Sequence, residues 1–555
     1  MPDQSTLKQF LQRRHPDFVE KLDHWRFCLA SYEGGRDWFR RNIHRYVKEG
    51  DDEFDARLLR AFRFNHTREV VDLIQKYIFK SGVERNLEDA TADVRAFWTV
   101  ATLSGLSIDE FMKLVGVAAS IFGRVWVFVD STKSEAIQTQ ADAKEAGTRC
   151  YAYIVRPMDV LDVGVNDDGS LSWVLVRERV RDDKDPIGSS GAVTERYRLW
   201  TTKEWTLWRI VRTVRGKPQD ITVEELCRLD KTAAQSVQII EEDSGEVDLG
   251  GQLPCFPHDH VIGDHRYSAP GLIDDTAYLD KAVANYLSNL DAIIQDQTFS
   301  QLVMPAEGVL AGEDKYETLK KMGTKRIFIY DGESPTAPSY ISPDPKQASM
   351  IVTVINKIIN EIYHTIGMGG ERTKQDNAVG IDNSSGVAKA YDFERLNSLL
   401  VSKSQSLENT EYKIIELVGL WNDRKPNRPA DDADAPVLVK YADTFDVRSL
   451  FDEFTIAEKL MLMGAPDTVR QQQMKLVVDK LFPALSQDLK QAMLDDIEDN
   501  WPPEPPEETV TTTATDGTAT AKATGGPAAG SGAKTPAKKN AGTKSRRGQV
   551  TSETK

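Results

Sequence analysis

The sequence predicts an α+β protein that is mainly helical. Three observations carry this. Apolar residues recur at three- and four-residue steps through most of the chain. Between Gly123 and Ile210 they form β-branched and aromatic blocks divided by Gly- and Asp-rich turns. The composition, 40% apolar and 28% charged over 555 residues, is that of a globular protein with a sizeable core. A chain of this length is expected to divide into roughly two to four units.

Taken in order, residues 1–120 read as helical. Leu58, Leu59, Phe62, Val70, Val71, Ile74 and Ile78 fall at helical steps and predict a single apolar stripe on one helix. Tyr32-Glu33-Gly34-Gly35 reads as a turn. Ser107, with Glu110 three residues later, predicts a capped helix start leading through Phe111, Leu114, Val115 and Ala118. At Gly123 the period changes, and Val125-Trp126-Val127-Phe128-Val129 predicts a strand buried on both faces. Further strands are expected at Tyr151–Val155, Ser172–Val176, Arg196–Trp200 and Glu204–Ile210, in an antiparallel region with charged edges.

A second change comes near Pro270. Ala277, Leu279, Ala282, Tyr286, Leu287, Leu290, Ile293 and Ile294 predict a long amphipathic helix over 274–299. A small mixed unit follows, with a strand at Arg326–Tyr330, and a run of prolines leads into a second long helix. That helix carries Met350, Ile351, Val354, Ile355, Ile358, Ile359 and Ile362 on one face. It stops at Gly367-Met368-Gly369-Gly370. A polar loop runs to Ser385, and Gly386 opens a third long helix reaching Val418. A strand is expected at Val437–Tyr441 and helices from Phe451 to Ile497. From Pro502 the Pro-, Thr-, Ala- and Gly-rich composition has no apolar period and reads as a disordered tail with a basic end.

Several function classes are disfavoured. The net charge of -16 is unlike a free nucleic-acid binder, whose affinity rests on a basic face. Cys28, Cys150, Cys227 and Cys255 are scattered and read as lone thiols in a reducing cytoplasm, without a disulfide framework. Residues 1–25 hold no apolar signal core, and the most apolar stretch, Leu114–Val129, is too short and too interrupted to span a bilayer. The best metal candidate is His258-Asp259-His260 with Asp264 and His265; as a loop between Pro257 and Tyr267 it reads as a solvated polar connector. The glycines at 367, 369 and 370 form neither G-x-G-x-x-G nor a P-loop and read as a hinge. Ser384-Ser385-Gly386 reads as a helix start and not as a nucleophile elbow. No motif argues for an enzyme, and none calls for a cofactor or metal.

The order of segments resembles the portal proteins of tailed bacteriophages. So do local stretches: Tyr32-Glu33-Gly34-Gly35 followed by Tyr46 and Phe54–Ala61, Phe64–Asp72, Gly123–Asp130, Pro270–Leu279, and Ser385–Ala390 followed by Phe393. The likeness spreads over residues 30–500.

The resemblance implies a portal-type fold: a wing (1–265), a first stem helix (266–300), a clip (301–345), a second stem helix (346–366) and a tunnel loop (367–386). A long helix and wing strand (387–450), a helical crown (451–501) and the tail (502–555) follow. It implies a homo-oligomeric ring of about twelve subunits. The ring would sit at one capsid vertex of the virion, assembled in the host cytoplasm. Double-stranded DNA would pass through it without sequence specificity, driven in by a terminase. Other partners would be a major capsid or scaffolding protein and a head-tail adaptor. An acidic bore would keep DNA from sticking, while Gly367, Gly369, Gly370, Arg372, Lys374 and Lys389 would form the tunnel loop. Arg372 and Lys374 would touch phosphates transiently. Ile351, Ile355, Ile358 and Ile362 would face the neighbouring subunit. The competing readings are another head-tail connector or minor capsid component, and a metal-dependent hydrolase built on His258–His265.

Overall fold

The computed structural model describes residues 3–80, 82–132, 149–230, 233–298, 301–303, 339–341, 345–367, 386–422, 436–443, 445, 450–481 and 487–499. The expected strand at Arg326–Tyr330, most of the 367–386 loop and the tail from Pro502 lie outside these residues.

The N-terminal part is helical, with α1 (Gln4–Gln12), α2 (Pro16–Glu33), α3 (Arg36–Asn42), α4 (Asp51–Arg60) and α5 (His66–Ile78). Gly34 and Gly35 both have positive φ, which glycine adopts without a Cβ penalty, and they end α2 sharply. The apolar stripe read across residues 58–78 is broken. The backbone leaves the helix at Ala61, and Asn65 takes a left-handed conformation to cap α5 through Arg68 N. Asn tolerates that conformation and supplies the capping oxygen, so a local cap overrides the periodicity. Leu59 and Phe62 are therefore exposed, whereas Val70, Val71, Ile74 and Ile78 are core.

Strand β1 (Glu84–Arg85) and α6 (Ala92–Thr99) lead to α7 (Ile108–Phe122). There the expected capping box forms, Ser107 N donating to Glu110 Oε2 at 2.9 Å. Gly123 ends α7 at φ +79, where any Cβ would collide with the Ala269 carbonyl. The Ala269–Pro270 backbone thus passes close over the turn from α7 into the central strand β2 (Arg124–Ser131), whose first six residues are all buried.

Strands β3 (Cys150–Val155), β4 (Val160–Val165), β5 (Leu171–Arg181), β6 (Val193–Thr201), β7 (Glu204–Val214) and β8 (Lys217–Asp220) follow, then the short helix α8 (Val223–Arg228) and β9 (Val237–Glu246). The hairpin β7–β8 turns on Arg215 and Gly216, both at positive φ, the geometry that suits a two-residue turn. Strand β9 pairs with β7 along 204–212, so β6 and β8 share its other edge. The resulting antiparallel sheet runs β4-β5-β6-β7, with β8 and β9 completing it.

Strand β10 (Cys255–Asp259) pairs with β2, giving a second antiparallel sheet, β10-β2-β3. His258 and Asp259, read from the sequence as part of a loop, thus end a strand. Cys255, Phe256 and His258 are buried and Pro257 and Asp259 half-buried.

Helix α9 (Thr276–Thr298) is followed by β11 (Gln301–Val303); β12 (Ser339–Ile341) precedes α10 (Pro345–Thr365). The two strands pair antiparallel. Helix α11 (Gly386–Trp421) runs 36 residues, and β13 (Val439–Lys440) pairs with β1. One extended core joins α2, α5, α7, both sheets, α9, α10 and α11.

The chain divides into two compact units near residue 456. The second holds the end of α12 (Leu450–Leu462), then α13 (Asp467–Leu481) and α14 (Gln487–Asp499). Within it, Gln471 Nε2 donates to the Ile497 carbonyl at 2.9 Å and Lys475 pairs with Glu498. Among the described residues no helix is long and apolar enough to cross a membrane.

Candidate functional site

Helices α9 and α10 form a helical hairpin rooted in the N-terminal helices. Its ends are fixed by contacts. Near the start of α9, fully buried Asp280 accepts from Thr67 Oγ1 at 2.8 Å and lies 3.5 Å from Arg63. Near the end of α10, Tyr363 donates to Glu69 at 2.6 Å and sits 3.0 Å from His66 Nδ1. All these partners lie in or just before the first turn of α5. The other ends, Thr298 and Pro345, flank the paired strands β11 and β12. The helices therefore run antiparallel; α9 is about 35 Å long, and its polar contacts with the N-terminal helices extend from Asp280 to Asp291.

Buried polar residues hold the root. Arg57, 5% exposed, donates to Ser288 Oγ at 2.9 Å and to Glu49 at 2.7 and 2.8 Å. The hydrogen bonds from Arg57 hold the Glu49 carboxyl below its ordinary pKa. Asn285 accepts from His44 N and donates to the Asn42 carbonyl, and Arg60 pairs with Asp291 at 3.0 Å. The Arg63 guanidinium lies 4.0 Å over the Trp38 ring.

The isoleucine face of α10 is mostly used inside the chain. Ile355 and Ile362 are buried in the chain's own core, and Ile351 and Ile358 are half-buried against it. Two of the four isoleucines assigned to a neighbouring subunit are therefore already covered by this chain. Exposed on the same helix are Met350 and Val352. A long apolar stripe seeks the nearest cover, and the α9 partner is supplied in cis.

Helix α10 ends against α11. Gly367, at φ +80, packs on the backbone of Arg395 and Leu396. Helix α11 begins at Gly386, about 15 Å along its axis from that contact. Gly369, Gly370, Arg372 and Lys374 lie outside the described residues; Lys389 lies in the first turn of α11.

The middle of α11 is bolted to the three-stranded sheet by polar groups. Lys403, 2% exposed, donates to Ser120 Oγ at 2.7 Å and lies 2.6 Å from His260 Nδ1. Thr410 Oγ1 lies 2.7 Å from His258 Nδ1, and Ser406 Oγ donates to the Asp259 carbonyl. Buried Glu411 takes Arg85 and the Tyr441 hydroxyl. Burial pushes the Lys403 ammonium down to about 7. Burial, then the Lys403 and Lys413 charges, pushes His258 down to about 3, and His260 also falls well below its ordinary value. Both imidazoles are thus neutral near pH 7.

Only the first part of the His258–His265 segment departs from a solvated connector; Ile262, Gly263 and Asp264 are exposed. Its two inner histidines point into the core beneath α11, while Asp259 is clamped by Arg124 at 2.5 and 2.7 Å. Successive strand residues face opposite ways, so the imidazoles and the carboxylate cannot converge on one ion. Asp264 is exposed.

The sequence reading passed over Lys403 and Asp280. Each had a signal: a charged residue set inside an apolar helical stripe, between Leu400 and Leu407 in one case and Ala277 and Ala284 in the other.

No family model matches the chain, and no curated protein matches its sequence. Among solved structures, it is similar to a chain in the neck of an empty gene transfer agent particle. The identity is 11% and the TM-score 0.35, covering 72% of this chain and 90% of that one. It is also similar to a chain in the virion of a native gene transfer agent particle, at 13% identity and a TM-score of 0.35, covering 79% of this chain and 99% of that one. Both likenesses are distant.

Proposed function

We propose that this chain is a non-enzymatic structural subunit of a tailed-phage-like particle, and specifically its portal. The observation that supports this best is the rooted antiparallel hairpin α9–α10 followed by the 36-residue helix α11. A hairpin fixed to the body from Asp280 to Asp291, through the buried Arg63–Asp280 pair among other contacts, is a rigid element that a ring of copies can line up around a channel. The strand pair at its tip belongs to the clip, which would meet the packaging terminase and later the head-tail adaptor.

Copies of one chain close into a ring through repeated heterologous contacts. The exposed face of α10, with Met350 and Val352, is the surface we assign to the neighbouring subunit, together with the outer edges of Ile351 and Ile358. Residues 367–386 form the tunnel loop. There Arg372 and Lys374, with Lys389 beside them, touch DNA phosphate against an otherwise acidic bore.

The test is direct. Electron microscopy of the purified full chain is expected to show rings with a central hole wide enough for duplex DNA. A uniform population of monomers, or shell-like sheets, overturns the portal reading in favour of another connector or minor capsid role. Within the portal reading, an Arg372→Glu/Lys374→Glu double variant is expected to package or retain less DNA. Unchanged packaging and retention removes the phosphate-contact role while leaving the ring.

A further inference from the structure

The described residues contain one place where metal-binding side chains converge, and it is not the histidine-rich segment of the sequence. His24 and Cys28 lie four residues apart on α2, hence on one face of the helix. Asp274 reaches the same point from the turn that opens α9. One ligand atom from each falls within 4.8 Å of the others. We propose that His24, Cys28 and Asp274 bind a borderline-soft divalent cation, zinc above all, in a three-ligand site that ties α2 to the start of α9.

The distances fit. On a tetrahedral zinc, a thiolate sulfur and an imidazole nitrogen stand about 3.5 Å apart, and an imidazole nitrogen and a carboxylate oxygen about 3.4 Å. Cys28 Sγ lies 3.6 Å from His24 Nε2, and Asp274 Oδ1 lies 3.0 Å from the same nitrogen. The sulfur–nitrogen pair is already at the bound separation, and the nitrogen–oxygen pair need open by only a few tenths of an ångström. Both neighbours address the same imidazole nitrogen. That arrangement surrounds a point; a proton relay would use the two ring nitrogens in series.

The surroundings are also those of a metal site. A ligating imidazole needs a partner on its other nitrogen, and His24 Nδ1 has the Tyr278 hydroxyl at 3.3 Å. A ligating carboxylate needs its second oxygen held, and Asp274 Oδ2 accepts from Gly271 N at 2.8 Å. The Tyr278 ring stacks beside the His24 ring and packs on Phe27, which fixes the imidazole plane. Cys28 is fully buried, whereas the side chains of His24 and Asp274 are 26% and 30% exposed. An ion here would have sulfur on its inner side and water access on its outer side for a fourth ligand.

The donor set selects the ion. One sulfur, one imidazole nitrogen and one carboxylate oxygen in a small three-sided site suit zinc or cobalt, not magnesium or calcium, which demand more oxygens. This inference does not depend on the portal reading, because both helices are fixed within this chain.

Cobalt(II) alone, then zinc(II) alone, added to the reduced, metal-stripped full chain tests it. One tightly held cobalt per chain is expected, with a sulfur-to-metal charge-transfer band. Cys28→Ser should abolish the band, and Cys227→Ser should leave it. His24→Gln should weaken binding more than tenfold, and Tyr278→Phe roughly tenfold. Because Asp274 also holds the Gly271 amide, His24→Gln is the deciding ligand variant. Its metal-free melting temperature, close to that of the parent, shows that it folds. Absence of the band in the parent chain, a band that survives Cys28→Ser, or unchanged affinity in His24→Gln each overturns the proposal.

Discussion

Replacing Lys403 with Met should make the folded chain less sensitive to pH between 7 and 9. In the native fold Lys403 is enclosed, with Ser120 Oγ and His260 Nδ1 as its contacts and no carboxylate in hydrogen-bond reach among the described residues. Burial lowers its pKa from 10.5 to about 7. The sign follows. Between about pH 7 and 10.5 the unfolded chain holds a proton on this amine and the folded chain does not, so stability rises with pH across that window. Below about pH 7 both states are protonated, and the fold carries a constant cost of about 5 kcal/mol for the buried charge. From pH 7 to 9 the relief is about 2 kcal/mol. A methionine of similar length removes the cost but leaves His260 Nδ1 without its partner, a penalty of about 1–3 kcal/mol. Lys403→Met is therefore expected to equal or exceed the parent in stability at pH 7, and the parent should gain about 2 kcal/mol on the variant by pH 9. Urea unfolding followed by tryptophan fluorescence, at one protein concentration and matched pH values, reads the difference. Cys28, Cys150 and Cys255, whose thiols are also pushed up by desolvation, contribute equally to both proteins and cancel. A parent-minus-variant difference that stays flat from pH 7 to 9 would refute the reasoning.

Arg124→Ala should destabilise the fold by about 3–5 kcal/mol, because it strands the Asp259 carboxylate and the His265 and Arg266 carbonyls in a nearly closed site; urea midpoints check this, and Arg124→Lys should not rescue it, since an ammonium cannot reach all three acceptors. Gly123→Ala should abolish soluble expression, as the new Cβ meets the Ala269 carbonyl at a φ that alanine resists. On α10, Ile362→Asp should prevent folding of the chain itself, whereas Met350→Asp should leave its circular dichroism and melting unchanged and shift size-exclusion profiles from ring towards protomer. Loss of folding in Met350→Asp would move that residue from interface to core.

The long helices and the central strand were legible because their signals are local and repeated. Isoleucines at three- and four-residue steps over 351–362 and an unbroken β-branched and aromatic block at 125–129 leave little room for another reading. The cap at Asn65 was not legible, since a side-chain cap of about 1 kcal/mol leaves no mark on the apolar spacing it interrupts. Strand β10 was hidden for the opposite reason. Its His258, and His260 just after it, look solvated in sequence, yet the fold buries them because Thr410 and Lys403, some 150 residues away, meet their nitrogens. The same logic governs His24 and Cys28. Their four-residue spacing is visible in the sequence, but it occurs on many helices without meaning. It acquires meaning only when Asp274, 250 residues on, is delivered by the turn into α9. A helix can place two ligands on a face, but a third direction must come from another element. Chemistry in this chain is therefore written in long-range pairs, which periodicity cannot reveal, whereas architecture is written in short-range repeats, which it can.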